Sequence, residues 1–258
     1  MNITRTVTRA AITAALAAAL GGAATPMAAA ETSRATAAEP GEGWKGEDGL
    51  SLDAADNERV DAYLEGAGRA ERGISPQVRA AAWATGAEVI GFENRLKSPD
   101  SLKRKVATSL REQPGRNVDA VLATLSDAVR YTLRWRDEEY TTGVTNVSHL
   151  LAGWGNTSTK WSNTWGRGQG YKGLNTGWRA PRTGQLFEVQ FHTPASKNAQ
   201  EVTHKLYEEQ RLPGTGPERR KELQAQQDAV FAAVPVPDGA DRLTAPAAPA
   251  RPESVPMA

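Results

Sequence analysis

The chain has 258 residues, a formal net charge of +1, 39% hydrophobic and 24% charged residues, enough for one domain of ordinary size with a real core once its two ends are set aside. Without Arg5 and Arg9 the charge falls to about −1, so whole-molecule attraction to nucleic acid or anionic lipid is excluded and any anion site must be local. There is no cysteine, which excludes disulfides and thiolate-bound zinc.

In chain order, Arg5 and Arg9 precede an apolar run from Ala10 to Ala24, then Pro26 and the triplet Ala28-Ala29-Ala30. This pattern predicts a secretory signal peptide over 1–30, cleaved after Ala30, and an extracellular protein. The run is too short and too alanine-rich to cross a bilayer stably. Residues 31–50 are rich in Gly, Glu and Ala and predict a flexible leader. The domain is expected over 51–234. Its first helix covers Asp53 to Arg69, with Val60, Tyr63, Leu64 and Ala67 on one face. Ser75 and Pro76 then predict the start of a second helix carrying Val78, Ala82, Thr85, Val89, Phe92 and Leu96. Ser98-Pro99-Asp100 repeats this capping pattern ahead of Leu102, Val106 and Leu110, and Pro114-Gly115 stops the third helix.

A short helix from Val118 to Leu125 leads through Ser126-Asp127 into a strand. There Val129, Tyr131, Leu133 and Trp135 alternate with Ala128, Arg130, Thr132 and Arg134, giving one apolar and one polar or basic face. A helix follows from Glu138 to Leu151, then a strand near Lys160 to Trp165 and a glycine-rich loop. Gly170 to Thr193 predicts a hairpin. One strand sets Tyr171, Gly173, Asn175 and Gly177 against Lys172, Leu174, Thr176 and Trp178, and Pro181, Thr183 and Gly184 form the turn. The returning strand sets Glu188, Gln190 and His192 against Phe187, Val189 and Phe191. Helices over Ser196–Leu212 and Pro217–Val234 precede a disordered Pro- and Ala-rich tail over 235–258. The fold class is α+β, a mixed sheet of about five strands flanked by helices.

Arg95, Lys97 and Ser98, with Lys103, Arg104 and Lys105, form a helix junction that either converges on phosphate or is a solvated basic face. Asp127 at the mouth of a strand is a turn residue or a ligand. Glu188 in mid-strand requires partners or a metal. His192 and His204 are metal ligands or structural residues, and the tryptophans between Trp154 and Trp178 are core or stacking platforms.

The order of these elements is more specific than any one of them. RLKS, SLKRK, an Asp opening an alternating strand, GYKGLN, EVQFHT, and then Glu201, His204 and Tyr207 at E-x-x-H-x-x-Y spacing together resemble the synthetase domain of RelA/SpoT-type alarmone enzymes. With the export signal, the chain is most similar to the secreted bacterial nucleotide 3′-pyrophosphokinases. The resemblance implies a nucleotidyltransferase-like sheet and transfer of the β,γ-pyrophosphate of ATP to the 3′-hydroxyl of a purine nucleotide, leaving AMP. It implies Mg2+ as cofactor, ATP and the acceptor nucleotide as partners, and no nucleic-acid polymer, membrane or obligate protein partner. It also implies roles for single residues: Arg95, Lys97, Lys105 and Arg130 for ATP, Asp127 and Glu188 for magnesium, Lys160 and Arg167 for the transferred phosphates. Glu188 would be the catalytic base, and Tyr171, Asn175, Gln190 and His192 would meet the acceptor.

Three positions depart from the family pattern. Thr132 stands where the adenine-packing Arg is expected, so Arg130 or Arg134 must replace it. Asn175 and His192 stand in place of a His and an Arg on the acceptor side, which implies a broader acceptor range. None of the histidines is followed by Asp, so the family's hydrolase activity is not expected. Two other functions compete: an exported ADP-ribosyltransferase, from Thr157-Ser158-Thr159, and a non-enzymatic carbohydrate- or wall-binding module using the tryptophans.

Overall fold

The computed structural model of the protein describes residues 41–212 and 214–247. The predicted export signal lies outside the described residues, as do the first half of the leader and the end of the tail.

Five strands form one mixed sheet: β3 (Glu88–Ile90), β4 (Arg130–Arg134), β5 (Thr157–Asn163), β6 (Leu174–Arg179) and β7 (Leu186–His192), in the order β3-β4-β7-β6-β5. Only β4 and β7 run parallel. Paired residues share a face, so the register sorts the side chains. Arg130 pairs with Glu188, Thr132 with Gln190 and Arg134 with His192. Gly177 and Asn175 lie opposite Glu188 and Gln190 on the other side, and Lys160 and Ser162 continue the rows on β5. The opposite face carries Tyr131, Leu133, Phe187, Val189, Phe191, Leu174 and Trp178, all buried. This is the expected alternation, with one polar face and one core face. Truncating a core residue such as Leu133 to alanine is expected to cost about 2–5 kcal/mol.

The core face meets α1 (Ala54–Ala84) and α4 (Asp137–Gly153). The Tyr131 hydroxyl reaches Ser75 of α1 at 2.8 Å, and the rings of Trp135 and Tyr140 meet edge to face at 6.3 Å. Val144, Val147 and Leu151 point inward as expected. α2 (Pro99–Glu112) starts at Ser98, whose hydroxyl accepts from Ser101 N, and α3 (Val118–Leu122) at Asn117. After β7, Thr193 opens α5 (Pro194–Arg211) with a capping box, and α6 (Pro217–Ala232) packs back against it.

Four expectations are corrected. The two helices predicted on either side of Ser75 are one helix of 31 residues with Pro76 inside. Proline removes one intrahelical hydrogen bond, but the flanking Ala70, Ile74, Val78, Ala81 and Ala82 are all buried, and that packing carries the helix through. The helix then ends at Ala84, not beyond Leu96, because Gly86 takes a positive φ of 69° and turns the chain into β3. The leader is structured from Trp44: Trp44–Lys45 (β1) pairs with Ser51–Leu52 (β2), and the Trp44 indole donates to Asp100 at 3.1 Å. The described part of the tail is held too. Ala240 is fully buried, and Trp161 Nε1 and Asn163 Nδ2 donate to the Leu243 and Ala240 carbonyls at 3.0 and 2.8 Å. None of the described helices is long and apolar enough to cross a membrane.

Candidate active site

Glu188 sits on the central strand of the sheet, 9% exposed. Its Oε1 accepts from Gln190 Nε2 at 2.7 Å, and no salt bridge among the described residues engages it. Gly177 beside it keeps the face low: a Cβ there would lie 3.0 Å from Thr159 Oγ1 and 3.1 Å from Lys160 Cβ. The register shifts between Ser158 and Lys160, a bulge that turns Lys160 onto the face of Glu188. Arg130, Lys160 and Arg167 are exposed and have no salt bridge among the described residues. Arg134, by contrast, is tied to Glu88 through both Nε and Nη2. Of the two candidates to replace the arginine missing at Thr132, Arg130 is therefore the uncommitted one.

A second cluster forms where the segment 95–97 meets the start of β4. Lys97 N donates to Ala128 O at 3.0 Å and Arg130 N to Arg95 O at 2.8 Å. This short ladder sets Lys97 beside Asp127, whose Oδ2 receives Lys105 at 2.8 Å and Lys97 at 3.2 Å. Burial pushes the Asp127 carboxyl upward, but the two ammonium groups outweigh it and hold the group below its ordinary value. Oδ1 of the same carboxylate is buried without a hydrogen-bond partner, an unsatisfied anionic oxygen of the kind a hard cation satisfies. Arg95 turns toward α1: its Nε donates to Glu71 Oε1 at 2.5 Å and its guanidinium lies 4.4 Å from the Phe92 ring centroid. Lys103, which is buried, and Arg104 pair with Asp61, Glu47 and Asp100, so these two of the five basic residues are committed to structural ion pairs.

At the other end of the sheet, Tyr171, Asn175 and His192 form a neutral chain. The Tyr171 hydroxyl donates to Asn175 Oδ1 at 3.1 Å and lies 3.0 Å from His192 Nε2, while His192 Nδ1 is 2.8 Å from Ser196 Oγ. Since Tyr171 gives its proton to Asn175, its oxygen accepts from Nε2–H and Nδ1 accepts from Ser196. Burial, aided by the Lys197 charge, pushes the His192 pKa down to about 3, so the ring is neutral. His192 is fully buried with both nitrogens spent, which corrects its expected contact with the acceptor: it holds Tyr171 instead. Tyr171 itself is half-buried, its ring edge-on to His192 at 5.8 Å and to Phe231 of α6 at 5.6 Å. Burial, then the Glu188 charge, raises its hydroxyl well above the ordinary tyrosine value.

Other expected participants fall outside this face. Glu201, His204 and Tyr207 are exposed on α5, and His204 lies 3.2 Å from Glu208. Trp165 and Trp178 are core residues whose indoles donate to Tyr140 and Thr176. Two concavities of about 440 and 500 Å³ lie elsewhere; Trp161 lines the first and Trp154 the second, and none of the residues expected to meet ATP, magnesium or the acceptor lines either. Glu71, Phe92, Gly177 and Phe231 escaped sequence reasoning. Only Gly177 left a signal there, as the one residue without a side chain facing Glu188 across the hairpin.

No protein-family model and no curated protein matches the chain. Solved structures resemble it at low identity. The Type VI effector Tas1, in complex with its immunity protein, is 18% identical over 69% of this chain and 96% of its own, with a TM-score of 0.47. Small alarmone synthetase 1 from Bacillus subtilis, bound to its product pppGpp, is 14% identical over 69% and 93%, with a TM-score of 0.48. A GTP pyrophosphokinase family protein from Streptococcus pneumoniae is 16% identical over 67% and 86%, with a TM-score of 0.40. The chain is similar in fold to small alarmone synthetases and to the effector Tas1.

Proposed function

We propose that the chain is an exported nucleotide pyrophosphokinase, which moves the β,γ-pyrophosphate of ATP to the 3′-hydroxyl of a purine nucleotide and releases AMP. The observation that carries this reading is the sheet register, which gathers Glu188, Gln190, Arg130, Lys160 and Asn175 on one polar face. The sequence motifs quoted above support it independently. Export rests on residues 1–30 alone.

In this reading Glu188 takes the proton from the acceptor 3′-hydroxyl. The oxygen attacks the β-phosphorus, and the bond from that phosphorus to the oxygen bridging it to the α-phosphate breaks, with AMP as the leaving group. A carboxylate that no Lys or Arg among the described residues engages keeps an oxygen for the base role, worth about a hundred- to ten-thousandfold in rate. Arg130, Lys160 and Arg167 are uncommitted cations for the charge that develops on the phosphate oxygens, where positioning and electrostatics do most of the catalysis. Asp127, with its unsatisfied Oδ1, and Glu188 are the residues that would hold Mg2+, which would supply charge neutralisation on the phosphates. On the acceptor side, Tyr171, Asn175 and His192 form a neutral group, and an aromatic platform tolerates different bases. This favours a broad acceptor range.

The test is incubation of the protein lacking residues 1–30 with Mg2+, ATP and a panel of AMP, ADP, GDP and GTP, followed by chromatography. AMP together with a nucleotide 3′-diphosphate is the expected result. Consumption of NAD with release of nicotinamide, or polysaccharide binding without ATP turnover, would replace this reading by one of its rivals.

A further inference from the structure

Glu71 lies on α1, outside the stretch that carries the family resemblance, and is a buried carboxylate with only 8% of its side chain exposed. Burying a charge in a helix that packs on the sheet is costly unless partners satisfy it. Here the same oxygen accepts from Arg95 Nε at 2.5 Å and from the Ser75 hydroxyl, and Ser75 in turn lies 2.8 Å from the Tyr131 hydroxyl. Burial pushes the Glu71 carboxyl upward, but the Arg95 and Ser75 bonds outweigh it and keep the group below its ordinary value, hence ionised.

The partner of this carboxylate is held on two further sides. Its guanidinium stands 4.4 Å from the Phe92 ring centroid, and its Nη1 donates to the Phe92 carbonyl at 3.2 Å. Phe92 also receives Arg79 at 5.4 Å and lies 6.3 Å from the Tyr131 ring. Two of the five N–H donors of Arg95 are thus spent on fixing the plane of the group, and its side chain retains 27% exposure. The backbone carbonyl of Arg95 receives Arg130 N, so the clamped guanidinium grows from the same ladder that sets Lys97 against Asp127.

We propose that Glu71 is a positioning residue for the ATP side of the site: through Arg95, with Phe92 as the platform beneath, it presents a pre-oriented guanidinium to the donor nucleotide. The proposal rests on the pyrophosphokinase reading and adds to it a residue that does not touch substrate.

The experiment is a double-mutant cycle on the protein lacking residues 1–30: parent, Glu71→Gln, Arg95→Ala and the pair, each measured for ATP binding by calorimetry with Mg2+ and for the KM of ATP and of acceptor. Because a hydrogen bond to a charged group is at stake, Glu71→Gln is expected to weaken ATP binding by about tenfold. The acceptor KM should stay close to that of the parent, and any fall in melting temperature should leave the variant fully folded at the assay temperature. In the Arg95→Ala background the same change should have no further effect on ATP. A purely structural role would show the opposite: equal losses with and without Arg95, or a fall in melting temperature that accounts for the lost binding. Phe92→Leu, which keeps the ion pair but removes the ring, should reproduce the ATP-selective loss. If the parent binds ATP and Glu71→Gln binds it equally well, the inference is overturned and the reading stands; if the parent binds no ATP, both fall.

Discussion

The two ends of the parallel β4–β7 pair are made of opposite materials. Where β4 begins, Lys97 and Lys105 converge on Asp127, and Arg95 is clamped by Glu71. Where β7 ends, Tyr171, Asn175, His192 and Ser196 form a chain without a charge. The first end is organised by ion pairs, strong at short range and able to exchange partners when a polyanion arrives. The second is organised by buried neutral hydrogen bonds, which fix one ring in one orientation. The proposed transfer, with a triphosphate at one end and an acceptor base at the other, would use this asymmetry, and Glu188 lies between the two.

Substitutions at the two ends should therefore fail in different ways. Glu188→Gln, between them, is expected to have the largest effect, a rate loss of about a hundredfold or more with the fold intact, checked by AMP release and a melting curve. Asp127→Asn should weaken the apparent magnesium affinity by about tenfold or more, checked by titrating activity against Mg2+ at saturating ATP. Tyr171→Ala should raise the acceptor KM by roughly tenfold through lost stacking while the KM of ATP stays within a factor of about two. If the donor constant moves instead, the two ends are assigned the wrong way round.

A smaller effect separates the ends by pH. The buried His192 has its pKa depressed from 6.5 to about 3, so between those values the unfolded state binds the extra proton and the folded state does not. Stability from this group is present above about pH 6.5 and is lost as pH falls toward about 3. Asp127 and Glu71, whose carboxyls are also depressed, lose theirs only below the ordinary carboxylate range. Melting curves from pH 7 to 5 should therefore show a decline in the parent that His192→Gln flattens. Least of all, Tyr207→Ala on the exposed face of α5 should leave stability within about 0.5 kcal/mol and activity unchanged, although Tyr207 belongs to one of the motifs that carry the family resemblance.

What the sequence disclosed follows from period. The hairpin from β6 to β7 was legible because strict alternation over seven residues fits a half-buried strand and does not fit a helix. β3 was not, because Val89, Phe92 and Leu96 continue the helical spacing set by Ala82 and Thr85, and only the positive φ of Gly86 breaks it. The single helix through Pro76 was hidden because a Ser-Pro pair looks alike at a helix start and in a helix sustained by tertiary packing. The segment 239–247 was hidden because side chains of β5 hold it by its backbone carbonyls, which hydropathy does not record. Within the site, Glu188 stood out as a carboxylate between two apolar strand neighbours. Glu71 did not, since a glutamate in a helix is ordinarily solvated, and its burial depends on Arg95, 24 residues further along the chain. The same distance effect conceals Phe231, which reaches Tyr171 from α6.

The most direct measurement follows one phosphorus atom. With ATP labelled at the β-phosphate, Mg2+ and unlabelled AMP, the account predicts that the label leaves ATP and appears in a nucleotide carrying a 3′-diphosphate, in equal amount to the AMP newly formed from ATP, and that Glu188→Gln abolishes the transfer. Label recovered only in ADP, free phosphate or pyrophosphate, with the acceptor unchanged, would contradict it.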